Sequence, residues 1–161
     1  MTATFSERAR TEMATVGVVG LGDTGLPLAL SLADAGRLTT GLDTDPAKIA
    51  ALRLGESYLP GVSTDALVAT AEWFEPTSDP RRLAGLDVYV ICVPAPVGDD
   101  GLADLRHVES AADTVGPLLR HGSVVELRCA LAADAVAALS ARLAAGSGLR
   151  PGVDFHLTTA W

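Results

Sequence analysis

Apolar residues fall along this chain in two alternating kinds of run. Short apolar blocks mark strands at Val16 to Val19 and Asp87 to Val93, the second continuous enough to be buried on both faces as a parallel strand covered by helices requires, and further strands are expected at Leu38 to Leu42 and Ser123 to Leu127. Between them the spacing widens to three and four residues. Leu26 to Ala35 reads as a helix with Pro27 in its first turn, and Pro46, Ile49, Leu52 and Gly55 mark a second. After the linker 55–61 a short helix is expected over Thr64 to Ala69 and a strand over Ala71 to Phe74. Pro94-Ala95-Pro96 stops the fourth strand, and Asp104 is the expected N-cap of a helix with an apolar face at Leu105, Val108, Ala112, Val115 and Leu119. Leu131, Val136, Leu139 and Leu143 mark an Ala-rich helix. Gly146-Ser147-Gly148 and Pro151-Gly152 then turn the chain into a sixth strand, Val153 to Leu157. Six strands alternating with helices predict a doubly wound, mostly parallel α/β sheet of Rossmann type in a single domain, in the order 3-2-1-4-5-6. The expected domain is 14–161, preceded by a flexible N-terminal arm at 1–13, with nothing left for a second domain.

The first strand runs into Gly20-Leu21-Gly22-Asp23-Thr24-Gly25, a Gly-x-Gly-x-x-Gly turn that opens a helix, and Asp43 follows eighteen residues after Gly25. Each part has a physical reason in a dinucleotide site. Gly20 permits the tight turn, Gly22 lets backbone approach a pyrophosphate, and Gly25 lets helix and strand pack closely. The helix's first N–H groups and positive dipole end then face the phosphates. A carboxylate at position 43 accepts ribose hydroxyls and repels a 2′-phosphate, which favours NAD over NADP. Asp23 counts against binding if it faces the pyrophosphate. A carboxylate about 5 Å away costs about 1 to 3 kcal/mol at surface-like dielectric, and one turned to solvent costs nothing.

A chain of 161 residues is long enough to bury a core without staples, and 48% hydrophobic with 20% charged residues is an ordinary globular balance. A net charge of −8 disfavours a phosphate-backbone partner, so nucleic acid is excluded. No run approaches the about 18 apolar residues of a membrane span, and residues 1–13 lack the apolar core of a signal peptide, so a cytoplasmic protein without a membrane partner is expected. Basic residues are nearly all Arg, with Lys48 the single lysine, and Ala and Gly abound, a bacterial GC-rich bias. Cys92, Cys129 and the scattered His107, His121 and His156 lack metal-ligand spacing, so no metal site is expected.

Val18-Val19-Gly20-Leu21-Gly22, Gly25-Leu26-Pro27-Leu28-Ala29, Gly41-Leu42-Asp43, Gly55-Glu56-Ser57-Tyr58, Cys92-Val93-Pro94 and Asp104-Leu105 together resemble the nucleotide-sugar dehydrogenases, also called UDP-glucose/GDP-mannose dehydrogenases. The Gly-x-Ser-Tyr stretch is similar to the UDP-N-acetylhexosamine 6-dehydrogenase branch. The resemblance covers about Thr15 to Leu157. It implies an N-terminal NAD-binding domain from enzymes that oxidise a sugar C6 alcohol to a carboxylate, with Gly20, Leu21, Gly22, Asp23, Thr24, Gly25, Asp43, Val93, Pro94 and Ala95 around the cofactor.

The departures lie on the reaction side. The family usually carries Tyr-Val at Asp23-Thr24, Thr at Ala95, and Glu-Ser-Thr where this chain has Arg128-Cys129-Ala130; a two-residue gap puts Glu126 at the Glu position. Family chains are more than twice as long, with a dimer helix and a sugar domain carrying the catalytic cysteine, and their Ser-Pro-Glu-Arg would fall at Ala160-Trp161. The adenosine side is therefore expected to survive while proton-handling groups are lost. The expected function is the NAD-holding component of an oxidoreductase, incapable of sugar oxidation alone and completed by a protein partner or a second copy, with a nucleotide sugar as candidate ligand. The alternatives are a non-catalytic sensing or docking pseudoenzyme, or a small enzyme using Cys129 or Arg128. The bland readings stand beside these: buried cysteines, an Arg128–Glu126 pair, Lys48 and Arg53 as solvated charges, Tyr58 as loop packing or a ligand-loop remnant, and His107 at the surface.

Overall fold

The computed structural model describes residues 14–160; the arm expected at 1–13 lies outside the described residues. Six parallel strands form one sheet in the order β3-β2-β1-β4-β5-β6, as the alternation of elements predicted. They are β1 (Val16–Val19), β2 (Thr39–Leu42), β3 (Phe74–Thr77), β4 (Val88–Ile91), β5 (Val124–Leu127) and β6 (His156–Thr159). The strands are in register across the sheet, so Val19 pairs with both Leu42 and Ile91, and Ile91 with Leu127. The helices are α1 (Gly25–Asp34), α2 (Pro46–Arg53), α3 (Thr64–Ala69), α4 (Arg106–Val115) and α5 (Ala133–Ser147).

Strand alternation divides the core into two layers. Val16 and Val18 of β1 and Val90 of β4 pack with Leu26, Ala29, Ile49, Leu67 and Phe74 beneath α1, α2 and α3. Val19, Tyr89 and Ile91 point the other way, into Val108, Val115, Leu139, Leu143 and Phe155 beneath α4 and α5. Gly41 makes the first layer fit, since a Cβ there would sit 2.8 Å from both Leu21 and Phe74.

Several boundaries differ from the sequence reading, each for a local reason. β3 begins at Phe74 rather than Ala71, because Trp73 and Phe74 both donate their N–H to the Thr70 carbonyl and close a turn first. The strand then runs through Pro76, which an edge position tolerates because one side needs no donor. β6 begins at His156, because the Arg150 carbonyl collects the N–H groups of Val153, Asp154 and Phe155 while Asp154 accepts from the Arg150 N–H. α4 starts at Arg106 with Leu105 at the cap; Asp104 instead accepts the Arg106 N–H at 3.1 Å in a tight turn before it. Gly116–Leu118 then tightens into a 3₁₀ turn, so Leu119 falls past the helix. Gly146 lies inside α5 rather than in a turn, facing Gly116 where a Cβ on either would lie 3.2 Å from the other's Cα; left-handed Gly148 (φ 71°) ends the helix instead.

The N-terminal edge of the sheet is tied by one carboxylate. Asp87, almost fully buried, accepts the Thr15 N–H and hydroxyl at 3.1 Å and the Arg120 guanidinium at 2.5 Å, joining the chain ahead of β1, β4 and β5. Burial alone would raise its carboxyl; the Thr15 and Arg120 donors outweigh that and hold it below the ordinary carboxylate range. Asp87→Asn should therefore cost about 2 kcal/mol at pH 7 in a urea titration. With the folded pKa depressed, the Asp87 contribution is complete above the unfolded value of about 3.9 and is lost as pH falls through the folded pKa, so the gap between variant and parent should close below about pH 4.

Candidate cofactor site

The crossovers that follow β1 and β4 lead to opposite halves of the sheet, which leaves a crevice at the strands' C-terminal ends. A cavity of about 660 Å³ occupies it. Gly20, Gly22, Asp23 and Thr24 line it from the first turn, Asp43, Thr44 and Lys48 from the end of β2 and α2, and Cys92, Val93, Pro94 and Ala95 from the end of β4. Arg128 and Cys129 lie beyond β5, and His107, Ser110 and Thr114 come from one face of α4.

Three glycines shape the turn in different ways. Gly20 sits at φ 93°, a left-handed conformation that disfavours a side chain, and a Cβ there would meet Val93 at 3.0 Å. Gly25 has no room at all, because a Cβ would fall 1.7 Å from the Gly20 carbonyl oxygen. At Gly22 nothing lies within 4 Å of a Cβ, so the loop there opens onto free space. The Leu26 N–H closes onto the Gly22 carbonyl, whereas the N–H groups of Gly22, Asp23, Thr24 and Gly25 find no acceptor among the described residues. No side chain caps α1 either, although Thr24 stands at the cap position. Four unpaired donors at the positive end of a ten-residue helix, beside a glycine with open space, fit the negative oxygens of a dinucleotide pyrophosphate. Asp23 is exposed at the rim of this space.

Leu21 does not reach the cavity; its side chain is completely buried in the first core layer. What matters is its backbone, which is gripped from both sides. Its N–H donates to Asp43 Oδ2 at 2.9 Å, and its carbonyl accepts the Tyr58 hydroxyl at 2.6 Å. Asp43 also accepts the Asp45 N–H at 2.9 Å and Lys48 Nζ at 3.4 Å, and the Lys48 ammonium lies 5.6 Å from the centre of the Tyr58 ring. Burial and then the charges of Asp43 and Asp45 push the Tyr58 hydroxyl well above its ordinary pKa, so it stays a donor. Lys48 is thus not a solvated charge, and Tyr58 is more than loop packing. The signal for Lys48 was its place one helical turn inside α2 from Asp43. Tyr58, thirty-seven positions from Leu21, left no local signal. Asp43 keeps about one of roughly four lone-pair sites for a ligand hydroxyl, fewer than a free carboxylate offers.

At the other end, burial pushes the Cys92 thiol up to about 11, and burial also raises Cys129. Both are protonated at neutral pH and neither is a ready nucleophile. Glu126 is not on the cavity wall; it holds Arg128 Nε at 2.5 Å. His107 is exposed, as expected, yet lines the cavity with Ser110 and Thr114, a face marked only by polar residues at helical spacing beside the buried stripe. Among the described residues no cluster of His, Cys, Asp and Glu is arranged to hold a metal, and no helix is long and apolar enough to cross a membrane.

A parallel sheet of this order with a donor-rich glycine turn at its switch point defines a dinucleotide-binding domain. Residues 14–160 match the UDP-glucose/GDP-mannose dehydrogenase family, NAD binding domain, and the chain belongs to that family, with NAD as its cofactor. It is 32% identical over 144 residues to an NDP-N-acetyl-D-galactosaminuronic acid dehydrogenase of Ralstonia nicotianae, an alignment that takes in 88% of this chain and 33% of that protein. It is 30% identical to the UDP-N-acetyl-D-mannosamine dehydrogenase of Salmonella typhi, over 88% of this chain and 33% of that one. The structure of UDP-D-ManNAc dehydrogenase from Pyrococcus horikoshii superposes with a TM-score of 0.83 at 27% identity, covering 91% of this chain and 36% of the other. The chain thus spans about a third of the length of the curated relatives it matches.

Two substitutions separate the roles of the glycines. Gly25→Ala should lower the unfolding free energy by more than about 2 kcal/mol, since its Cβ would overlap backbone, while Gly22→Ala should stay within about 0.5 kcal/mol of the parent in thermal denaturation. Tyr58→Phe, which leaves the Leu21 carbonyl unpaired, should cost about 1 kcal/mol in the same assay.

Proposed function

We propose that this domain holds NAD(H) across the crevice, pyrophosphate on the N–H groups of residues 22–25 and adenosine ribose at Asp43, and presents the nicotinamide ring near Val93, Pro94 and Ala95. The four unpaired N–H groups beside the open Gly22 carry this reading. The backbone clamp on Leu21 supports it, because a preorganised loop binds without further ordering. Lys48 partly offsets the Asp43 charge, yet the carboxylate still disfavours a 2′-phosphate, so NAD is preferred to NADP.

In this reading the domain is the cofactor-holding component of a cytoplasmic bacterial oxidoreductase acting on the CH–OH group of a nucleotide sugar. Its reaction-side groups come from outside this domain. Two protonated thiols and an alanine at position 95 favour that division, since acid–base help of about 10²- to 10⁴-fold has no evident source here. The same observation favours a second reading, a regulatory module that holds NAD without turning it over.

Calorimetric titration should give an NAD dissociation constant between about 1 µM and 1 mM, the usual range for small ligands of enzymes. Gly22→Val should weaken it at least about thirtyfold without loss of fold. Mixed with NAD and UDP-sugars but no other protein, the chain should produce no absorbance at 340 nm. Turnover that disappears in Cys129→Ala would replace this reading with a self-sufficient enzyme, and unchanged NAD affinity in Gly22→Val would remove the cofactor from the loop.

A further inference from the structure

The far end of the cavity, between β4, β5 and α4, carries a group that the cofactor reading does not use. Arg128 follows the last residue of β5 and lines the cavity with its side chain about one-third exposed. Its Nε donates to Glu126 Oε1, two residues back on the same strand face, and Glu126 stands off the cavity wall. Glu126 therefore braces the guanidinium from behind. The remaining N–H groups, on Nη1 and Nη2, have no acceptor among the described residues. A guanidinium has five donors in a planar fork, and its free outer edge matches two oxygens of a carboxylate or phosphate. His107, in the first turn of α4, also lines the cavity.

This position is separate from the glycine turn. β5 is two strands away from β1, about 9.6 Å at the usual strand spacing, so Arg128 rises from a different strand end than the turn. Near Asp43 the cation on the wall is Lys48, already paired with that carboxylate; Arg128 supplies the opposite end.

We propose that Arg128 forms an anion subsite at this end of the cavity, binding a carboxylate or phosphate of a second ligand beside the cofactor. Its place beside a cofactor rests on the NAD reading; the subsite itself does not. A neutral sugar would offer the Nη edge only uncharged hydroxyl acceptors, whereas an oxyanion satisfies it with stronger, charge-assisted bonds.

The test titrates the whole chain with inorganic phosphate and, separately, with oxalate, each with and without saturating NAD. With NAD present the loop is filled, and at least one probe should still bind saturably. Arg128→Gln should weaken that probe at least tenfold, and Arg128→Lys should restore phosphate better than oxalate, because an ammonium is a point charge without the planar fork. Stronger oxalate binding assigns a carboxylate ligand and stronger phosphate binding a phosphorylated one. Equal anion affinity in Arg128→Gln and the parent, or no saturable binding at all, would overturn the proposal. So would anion binding that is lost in Gly22→Val and kept in Arg128→Gln, since the anion would then sit on the loop. If NAD fails to bind, the cofactor reading falls by itself, and the comparison of Arg128 variants without NAD still decides the subsite.

Discussion

The peptide groups of Leu21 are the point on which the cavity depends. A turn with four unpaired donors would be free to rearrange were it not held, and it is held by a carboxylate from the end of β2 and a phenol from the 55–61 linker. These two bonds come from opposite directions and grip one residue. The turn's remaining freedom is removed sterically, since Gly25 packs against the Gly20 carbonyl with no space for a side chain. The open surface at Gly22 is thus presented on a rigid frame, which keeps the ordering cost of binding low.

Holding the loop in this way has a chemical consequence. Asp43, the residue expected to address the ribose, spends most of its acceptor capacity on protein donors, and Lys48 neutralises part of its charge. The carboxylate is therefore structural and ligand-facing together. Tyr58 and Lys48 join it in one cluster, so the ribose end of the site cannot be altered without disturbing the loop that holds the phosphates.

The opposite edge of the sheet is organised on the same principle with no ligand in view. Asp87 ties the approach to β1 to β4 and to the turn before β5, while Tyr89, its hydroxyl pushed up to about 12 by burial, accepts the Leu86 N–H and lies 2.8 Å from the Leu83 carbonyl. Between these two polar knots the central strands β1 and β4 are apolar on both faces. The C-terminal ends of the strands are the side left open, and the cavity lies there.

Apolar runs alternating with helical spacing were enough to predict the central strands, and the alternation of elements the sheet order and the class of fold, because a parallel strand in mid-sheet is apolar on both faces and a helix between strands on one; the polar edge strands β3 and β6 were placed less closely. The glycine turn and Asp43 were legible for the same reason: φ at Gly20, close packing at Gly25 and a carboxylate after β2 are local demands met by local residues. Strand ends were less legible, as at Phe74 and His156, where backbone turns closed by Thr70 and Arg150 took precedence over β-prone side chains. Tertiary structure alone decided that Tyr58 reaches the Leu21 carbonyl, that Leu21 turns its side chain into the core, that Gly146 stays helical against Gly116, and that His107, Ser110 and Thr114 face the cavity. Each of those depends on two segments distant in sequence meeting in space, and a periodicity read within one segment carries no information about its neighbour.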